Sequence, residues 1–327
     1  MKRTLIMILI LSLCLAVAQT VVAVADPIRV AVVQPLTHTS LNQIRDTIVS
    51  ELEKSDTAFE IVTRNAEGDS SALSTILENI KNDGVDILVP IATNTAQSAK
   101  MVFEDTGLPV VFAAVSDPVA AGLTGDDSGF ITGVSNNIPA AEIVRLISDF
   151  QPDYKKIGFL YTSSETNSVS TINAAKAYCD ANGIAYEEVS IANLSELQTA
   201  AETLISKGVD ALYTGNDNSI ASAMSTYIDV AYEYGVPVYC GADSMVADGG
   251  FATIGVDYVQ LGRQVAQIVV RLAQGEQPED IPYETLSDYA KFVNLQAAGR
   301  VGMELSDDIL AAYRVLVEAD GTSHFGE

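Results

Sequence analysis

Residues 85–123 read VDILVPIATNTAQSAKMVFEDTGLPVVFAAVSDPVAAGL, and residues 209–249 read VDALYTGNDNSIASAMSTYIDVAYEYGVPVYCGADSMVADG. Each stretch opens on Val-Asp-x-Leu, runs through a polar loop into an alanine-spaced helix, and leaves through Gly-x-Pro-Val into a second apolar strand. The strands that precede them also match: IRVAVVQPLTHTS from Ile28 resembles KIGFLYTSSETNS from Lys156. A repeat of this size is one supersecondary unit written twice. It predicts an α/β fold of two Rossmann-like lobes, each with a parallel sheet. Two such lobes in one chain bring two sets of strand-end loops face to face, and the cleft between them is a natural small-molecule site.

Working outward, 327 residues suggest about two domains, and a hydrophobic content of 48% is ample for two cores. Buried parallel strands are expected at 28–34, 59–63, 85–90, 109–115, 156–161, 184–189, 209–214 and 236–240, because each is an apolar, β-branched run without strict alternation. Helical stripes fall between them, for example Leu41, Ile44, Ile48, Val49 and Leu52. The second lobe's helices are expected at 168–181, 195–206 and 219–233. Further on, 258–272 reads as a helix, Gln277-Pro278 opens an extended surface connection, 290–295 reads as a strand and 307–318 as a helix. The chain is expected to pass between lobes near 133–136 and back near 249–255. Lobe 1 then comprises 26–135 with about 252–285, and lobe 2 comprises 136–251. Residues 286–327 are left without a lobe.

Lys2-Arg3, the apolar run from Leu5 to Leu15 and the Ala-x-Ala triplets ending at Ala18 or Ala25 read as a signal peptide over 1–25. A retained anchor is the alternative, which Gln19 and Thr20 disfavour by interrupting the run. Leu13 stands where a lipidation site before Cys14 wants a small residue. The protein is therefore expected to be exported, and periplasmic or extracytoplasmic after cleavage. Losing Lys2 and Arg3 takes the formal charge from −25 to −27, which argues against nucleic acid or an anionic membrane surface as a partner. Cys179 and Cys240 are expected at opposite ends of their lobe, so buried free thiols are favoured over a disulfide.

Ligands in parallel α/β sheets collect at strand carboxyl ends, where helix N-termini present free N–H groups. That selects the loops at 35–40, 92–95, 116–118, 162–168, 215–219 and 242–244. Their Ser, Thr, Asn and Asp residues are also what helix N-caps require, and capping is the commoner use of each singly. The carboxylates Asp117, Glu165, Asp217 and Asp243 lie at four strand ends. Gathered in a closing cleft, they would repel one another and lose hydration, a cost that a bound cation relieves. With hydroxyls and helix N-termini beside them, such a site suits a zwitterion. Neither His38 nor His324 has a metal-ligand neighbour at a usual spacing. Nucleophile-elbow, Cys-x-x-Cys, phosphate-loop and dinucleotide fingerprints are absent from the sequence, so no cofactor, metal or catalytic residue is expected.

Several stretches occur in a telling order: Asp117-Pro118 after VVFAAV, Gly133-Val134-Ser135, Ser164-Glu165-x-Asn167-Ser168, Asn216-Asp217-Asn218, Tyr258-x-x-x-Gly262-Arg263-Gln264, Ile281-Pro282 and Asn294-Leu295. In this order the chain resembles the extracytoplasmic substrate-binding proteins of ABC importers, in the group that includes tryptophan- and tyrosine-binding members. The resemblance spans the mature chain and implies the type I periplasmic-binding-protein architecture with hinge crossovers. One departure is His38-Thr39-Ser40-Leu41-Asn42, where the family more often shows His-Pro-x-Leu-Asp. Carried across by position, the resemblance implies that Thr93, Thr95, Ala96, Ser116 and Asp117 face the cleft from the first lobe. From the second it implies Ser164, Glu165, Asn167, Ser168, Asp217, Asn218 and Asp243. Among these, Asp217 and Asp243 are candidates for an ammonium group, and Thr93, Thr95, Asn167 and Ser168 for a carboxylate. Phe112, Tyr161 and Tyr213 end strands where they either flank an aromatic ligand or pack in the core. The implied partners are an amino acid, aromatic by resemblance, and an ABC permease with its ATPase, served by a monomer that performs no catalysis. The competing readings are a branched-chain amino acid, a small peptide or a nucleoside as ligand, a sensor for a membrane receptor, or an enzyme using the cleft carboxylates.

Overall fold

The structure, a computed structural model, describes residues 26–325 apart from Asp126 and Asp288. The leader expected at 1–25, with Cys14, lies outside the described residues. The chain begins with β1 (Ile28–Gln34), α1 (Thr39–Glu53), β2 (Phe59–Asn65), α2 (Ser70–Asp83), β3 (Ile87–Pro90), α3 (Thr93–Phe103), β4 (Val110–Ala113) and β5 (Ile131–Ser135). It continues through α4 (Ala140–Phe150), β6 (Lys156–Thr162), α5 (Thr166–Asn182), β7 (Ala185–Ile191), α6 (Leu197–Ser206), β8 (Ala211–Thr214), α7 (Asn218–Ala221), α8 (Met224–Glu233), β9 (Val238–Cys240), α9 (Asp243–Ala247) and β10 (Ala252–Val256). The remaining elements are α10 (Tyr258–Ala273), β11 (Glu284–Thr285), β12 (Tyr289–Asn294), α11 (Leu295–Val301), α12 (Asp307–Ala312) and β13 (Arg314–Val317).

These strands form two sheets, β11-β5-β4-β3-β1-β2 and β13-β12-β10-β9-β8-β6-β7. Every pairing is parallel except that of β10 with β12. In β1 the alternation is spatial rather than chemical. Val30 and Val32 enter one apolar cluster, while Ala31 and Val33 enter another with Leu73, Leu77, Phe103 and Phe112. Both faces of the strand are dry, which is why its sequence shows no polar beat. Burying one such Val or Leu side chain contributes about 1.5–3 kcal/mol.

The chain crosses between sheets three times: after β5, at Asp257 between β10 and α10, and between β11 and β12. β10 pairs with β9, so residues 252–256 belong to the second sheet and the return lies just beyond the span expected from sequence. β12 and β13 also join that sheet, which places most of 286–327 in the second lobe. Residues 307–318 are not one helix. α12 stops at Ala312, where the buried Tyr313 ring packs 4.7 Å from Phe150 and its hydroxyl donates to Asp149 Oδ2 at 2.7 Å; Arg314-Val-Leu-Val then forms a strand. The helix expected over 219–233 is broken as well. The Ser222 hydroxyl takes the Ser219 carbonyl and Ala223 leaves helical geometry at φ −127°, separating α7 from α8. Gln277-Pro278 leads into a single 3-10 turn over Pro278–Asp280 rather than an extended link. Cys179 and Cys240 are both free and buried.

Gly133 shows how tightly the first sheet is closed at its crossover edge. It has φ +155°, and a Cβ there would lie 2.2 Å from the Phe112 carbonyl oxygen and 2.6 Å from its ring. Neither backbone nor a fully buried ring can yield that much. Gly133→Ala is expected to destabilise the protein by about 2–3 kcal/mol in urea unfolding; an unchanged midpoint would show that this edge is loosely packed.

Candidate functional site

All the strand-end loops selected above lie at the carboxyl ends of their sheets, and the two sets face each other. Between them is a cavity with about 380 Å³ of empty space. The first lobe supplies His38, Ser40, Leu41, Ala114 and Ser116. The second supplies Asn167, Asn216, Asp217, Asn218, Ala221, Ala242 and Met245. Asn136 and Tyr258, which flank two of the crossovers, complete the wall. The lobes touch around it. His38 Nε2 meets Asn218 Oδ1 at 3.2 Å, Ser40 Oγ meets Ser244 Oγ, and Ser170 Oγ donates to Asp117 Oδ2 at 2.6 Å. Thr166 Oγ1 donates to Gln97 Oε1 at 3.2 Å.

On the second lobe a buried carboxylate organises the wall. Glu165 ends the β6 loop, and its oxygens accept from Asn218 N (2.9 Å), Asn218 Nδ2 (2.8 Å), Ser219 N (2.8 Å), Ser219 Oγ (2.7 Å) and Asn167 Nδ2 (3.3 Å). Asp217, fully buried, caps α7 through Ile220 N at 2.9 Å and ties it to the end of β6 through Thr162 N (2.6 Å) and Thr162 Oγ1 (2.9 Å). Burial, and next the nearby Glu165 charge, push the Asp217 pKa up to about 7. The loop can pack this closely because Gly241, at the end of β9, has no side chain. A Cβ there would stand 2.5 Å from Gly215 C and 2.6 Å from Asn216 N.

The first lobe is built differently. Ala92 (φ 70°, ψ 160°) and Ala114 (φ 58°) hold backbone conformations that side chains other than glycine's rarely adopt. Each costs about 1–3 kcal/mol and needs the surrounding packing to maintain it. Ala92 is the residue before α3, so that helix begins without a side-chain cap, and the hydroxyls of Thr93 and Thr95 are buried without a partner. His38 Nδ1 and Asn167 Oδ1 are likewise buried and unpartnered. Unsatisfied polar atoms at this density are costly, and they surround the cleft from both sides.

Of the residues singled out in the sequence, Ser116, Asn167, Asp217 and Asn218 line the cavity. Ser164 and Glu165 border a second hollow at the mouth of the cleft, with Leu36, Asp69, Asn94 and Ser219. Ser168 is buried beside Asn167. Thr93, Thr95 and Ala96 are buried at the start of α3 without lining the cavity. Asp117 acts between the lobes as the acceptor for Ser170. Asp243 lines a separate hollow with Gln43, Asp257 and Arg314, where burial raises its pKa to about 6.

The aromatic wall is not where the strand ends suggested. Tyr213 packs in the core, edge-on to Phe159 at 6.3 Å, and Phe112 lies 6.1 Å from Tyr283. Tyr161 turns its hydroxyl to Glu188 at 3.2 Å. Side chains alternate along a strand, so a ring near a strand's end has an even chance of facing the core. The rings that do line the cavity are His38 and Tyr258, the latter donating to Asn216 Oδ1 at 3.2 Å. Sequence reasoning placed His38 in a selected loop and in the segment that departs from the family, but gave no ligand role to it or to Asn136, Asn216, Met245 or Tyr258. The usable signals were position and order: His38 and Asn216 lie in selected strand-end loops, and Tyr258 opens one of the stretches that carried the family resemblance.

The comparisons with known proteins agree with this geometry. A family model described as ABC transporter substrate binding protein matches residues 29–316. A tyrosine-binding protein of Clostridioides difficile is 29% identical over 272 residues, covering 81% of this chain and 78% of that one. A Streptococcus pneumonia ABC domain solved in complex with L-Trp is 31% identical, with a TM-score of 0.83 over 89% of this chain and 99% of that one. A ligand-free, open substrate binding protein with adhesive properties from Clostridium difficile is 30% identical, with a TM-score of 0.67 over 88% and 98%.

Asp217 makes a measurable prediction for the unliganded protein. Its folded pKa lies above its unfolded value of about 4, so its stabilising contribution is complete below that pH and is lost as pH rises towards 7. Denaturant unfolding of the wild type should weaken between pH 4 and 7 by an amount that Asp217→Asn lacks, about 3 kcal/mol. Parallel pH profiles would show that the carboxyl is ionised throughout.

Proposed function

The chain belongs to the ABC transporter substrate binding protein family, and from that premise we propose that it binds an aromatic amino acid in the inter-lobe cavity and delivers it to an ABC permease and ATPase. The carrying observation is a cavity between the lobes whose lining comes from both of them, with an unpartnered buried polar atom on each side, His38 Nδ1 and Asn167 Oδ1. Leu41, Ala114, Ala221 and Met245, with the rings of His38 and Tyr258, offer an apolar body for an aromatic side chain. The tyrosine named for one relative and the L-Trp named for another support the same ligand class.

Hinge closure is the motion this arrangement supports. The polar bonds that cross the cleft are few, each worth about 0.5–1.5 kcal/mol net because water replaces them on opening. A ligand touching both lobes only when they meet shifts the population by its differential affinity. The similarities to the two solved relatives run in that direction. At nearly equal identity the structure matches the L-Trp complex at 0.83 and the open, ligand-free protein at 0.67. In this reading the protein works outside the cytoplasm as a monomer, after loss of the leader at 1–25, and has no nucleic-acid partner. Among the described residues, no helix is long and apolar enough to cross a membrane.

Calorimetry and thermal shift against Trp, Tyr, Phe, Leu, a nucleoside and a cyclitol test the ligand class. An aromatic amino acid at a hundred times its Kd should add about 2.7 kcal/mol of stability and lower the radius of gyration in solution scattering. Stabilisation by the cyclitol or nucleoside alone would overturn the ligand assignment.

A further inference from the structure

We propose that the ligand's ammonium group is held by two neutral acceptors, His38 Nδ1 and Asn167 Oδ1, and that the carboxylate of Glu165 acts at one remove by orienting them. This deepens the reading above and rests on it.

The argument is a hydrogen-bond relay with acceptor-only ends. Asn167 Nδ2 donates to the Asn216 carbonyl at 2.6 Å and to Glu165 Oε2 at 3.3 Å, which fixes its amide orientation and leaves Oδ1 as the bare end. That oxygen is buried and has no partner, in a residue only 4% exposed that lines the cavity. Asn218 is oriented the same way. Its Nδ2 donates to Glu165 Oε2 at 2.8 Å, so its Oδ1 faces His38. An amide oxygen only accepts, so His38 Nε2 must carry the proton. The neutral ring therefore presents its Nδ1 lone pair, which is buried and unpartnered on a cavity-lining residue. Burial keeps the ring neutral by lowering its pKa, a shift that the Asn218 bond and the Glu165 charge offset only in part.

One carboxylate oxygen thus sets two acceptors, one from each lobe. Glu165 and Asp217 make the corner electronegative, but the oxygens of both are occupied by donors of their own lobe. The group that satisfies two unpaired acceptors in such a field is a cationic donor with several N–H bonds, and a zwitterionic amino acid carries one. The earlier expectation that Asp217 meets the ammonium directly is replaced by this arrangement. Glu165 becomes the positioning residue, and Asp217 holds α7 to the end of β6.

The test crosses ligand and protein changes. Kd is measured for L-tryptophan, for its deaminated analogue indole-3-propionate, and for tyrosine, on the wild type, His38→Phe and Asn167→Ala. The wild type should prefer tryptophan over the deaminated analogue by about 10- to 100-fold or more, and each variant should lose about 10- to 100-fold for the amino acids with little change for the analogue. Acidification gives a second readout. Protonating His38, which feels the Glu165 charge and shares the cavity lining with the titratable Asp217 and Tyr258, turns Nδ1 into a donor. Amino-acid affinity should then fall as pH drops below the lowered imidazole pKa, and His38→Phe should lack that step. Variants that keep the wild-type preference for the amine, or a pH step that survives in His38→Phe, would overturn the acceptor assignment. If the wild type binds neither amino acid, the amino-acid reading fails and this inference with it.

Discussion

A buried carboxylate without a cationic partner governs this molecule's cleft. Glu165 is 3% exposed, and among the described residues no Lys or Arg side chain pairs with it; instead five N–H and O–H groups of its own lobe converge on it. Removing an ion from water costs several kcal/mol, and only a full set of donors makes that tolerable. Those donors come from the starts of α5 and α7, so the constraint draws both helices against the end of the β6 loop in one wall. It also dictates which way two asparagine amides point. The polar face seen by a ligand is therefore a consequence of satisfying one charge.

The lobes are not equivalent, although their sequences repeat. The second lobe brings two buried carboxyl groups, Glu165 and Asp217, held by backbone and side-chain donors. The first brings the bare His38 Nδ1 and an uncapped helix start behind a strained Ala92, with two threonine hydroxyls that find no partner. A helix N-terminus carries partial positive charge and free N–H groups. A guest spanning the gap would meet unpartnered polar atoms of both lobes, which is how the proposed zwitterion would bridge them. The same asymmetry explains why closure should depend on the guest, since neither lobe can satisfy the other's orphan atoms through the few bonds that cross the gap.

The fold was largely legible because its signals are local and repeated. Buried strands such as IRVAVV at 28–33 need only an apolar stretch between turn residues, and the expected strands in both repeats were found within a few residues of their predicted ends. The misreadings occurred where tertiary contacts override local preference. Residues 313–317 leave a helical pattern because Tyr313 is pinned between Phe150 and Asp149. β5 and β10 adjoin crossovers, where a strand's sheet depends on partners far away in sequence.

The site was legible only as a set of loops. Sequence alone determined that two α/β units face each other, that their strand-end loops are rich in capping residues, and that acidic side chains accumulate there, because periodicity and turn chemistry act over a few residues. Only the tertiary structure decided which of those side chains reach the cavity and which lone pairs remain free. Asp117 became a contact between lobes, Asp243 turned to another hollow, Tyr213 went to the core, and His38 came to meet Asn218, 180 positions away. The direction of a side chain and the occupancy of its hydrogen bonds depend on neighbours that the local sequence does not contain.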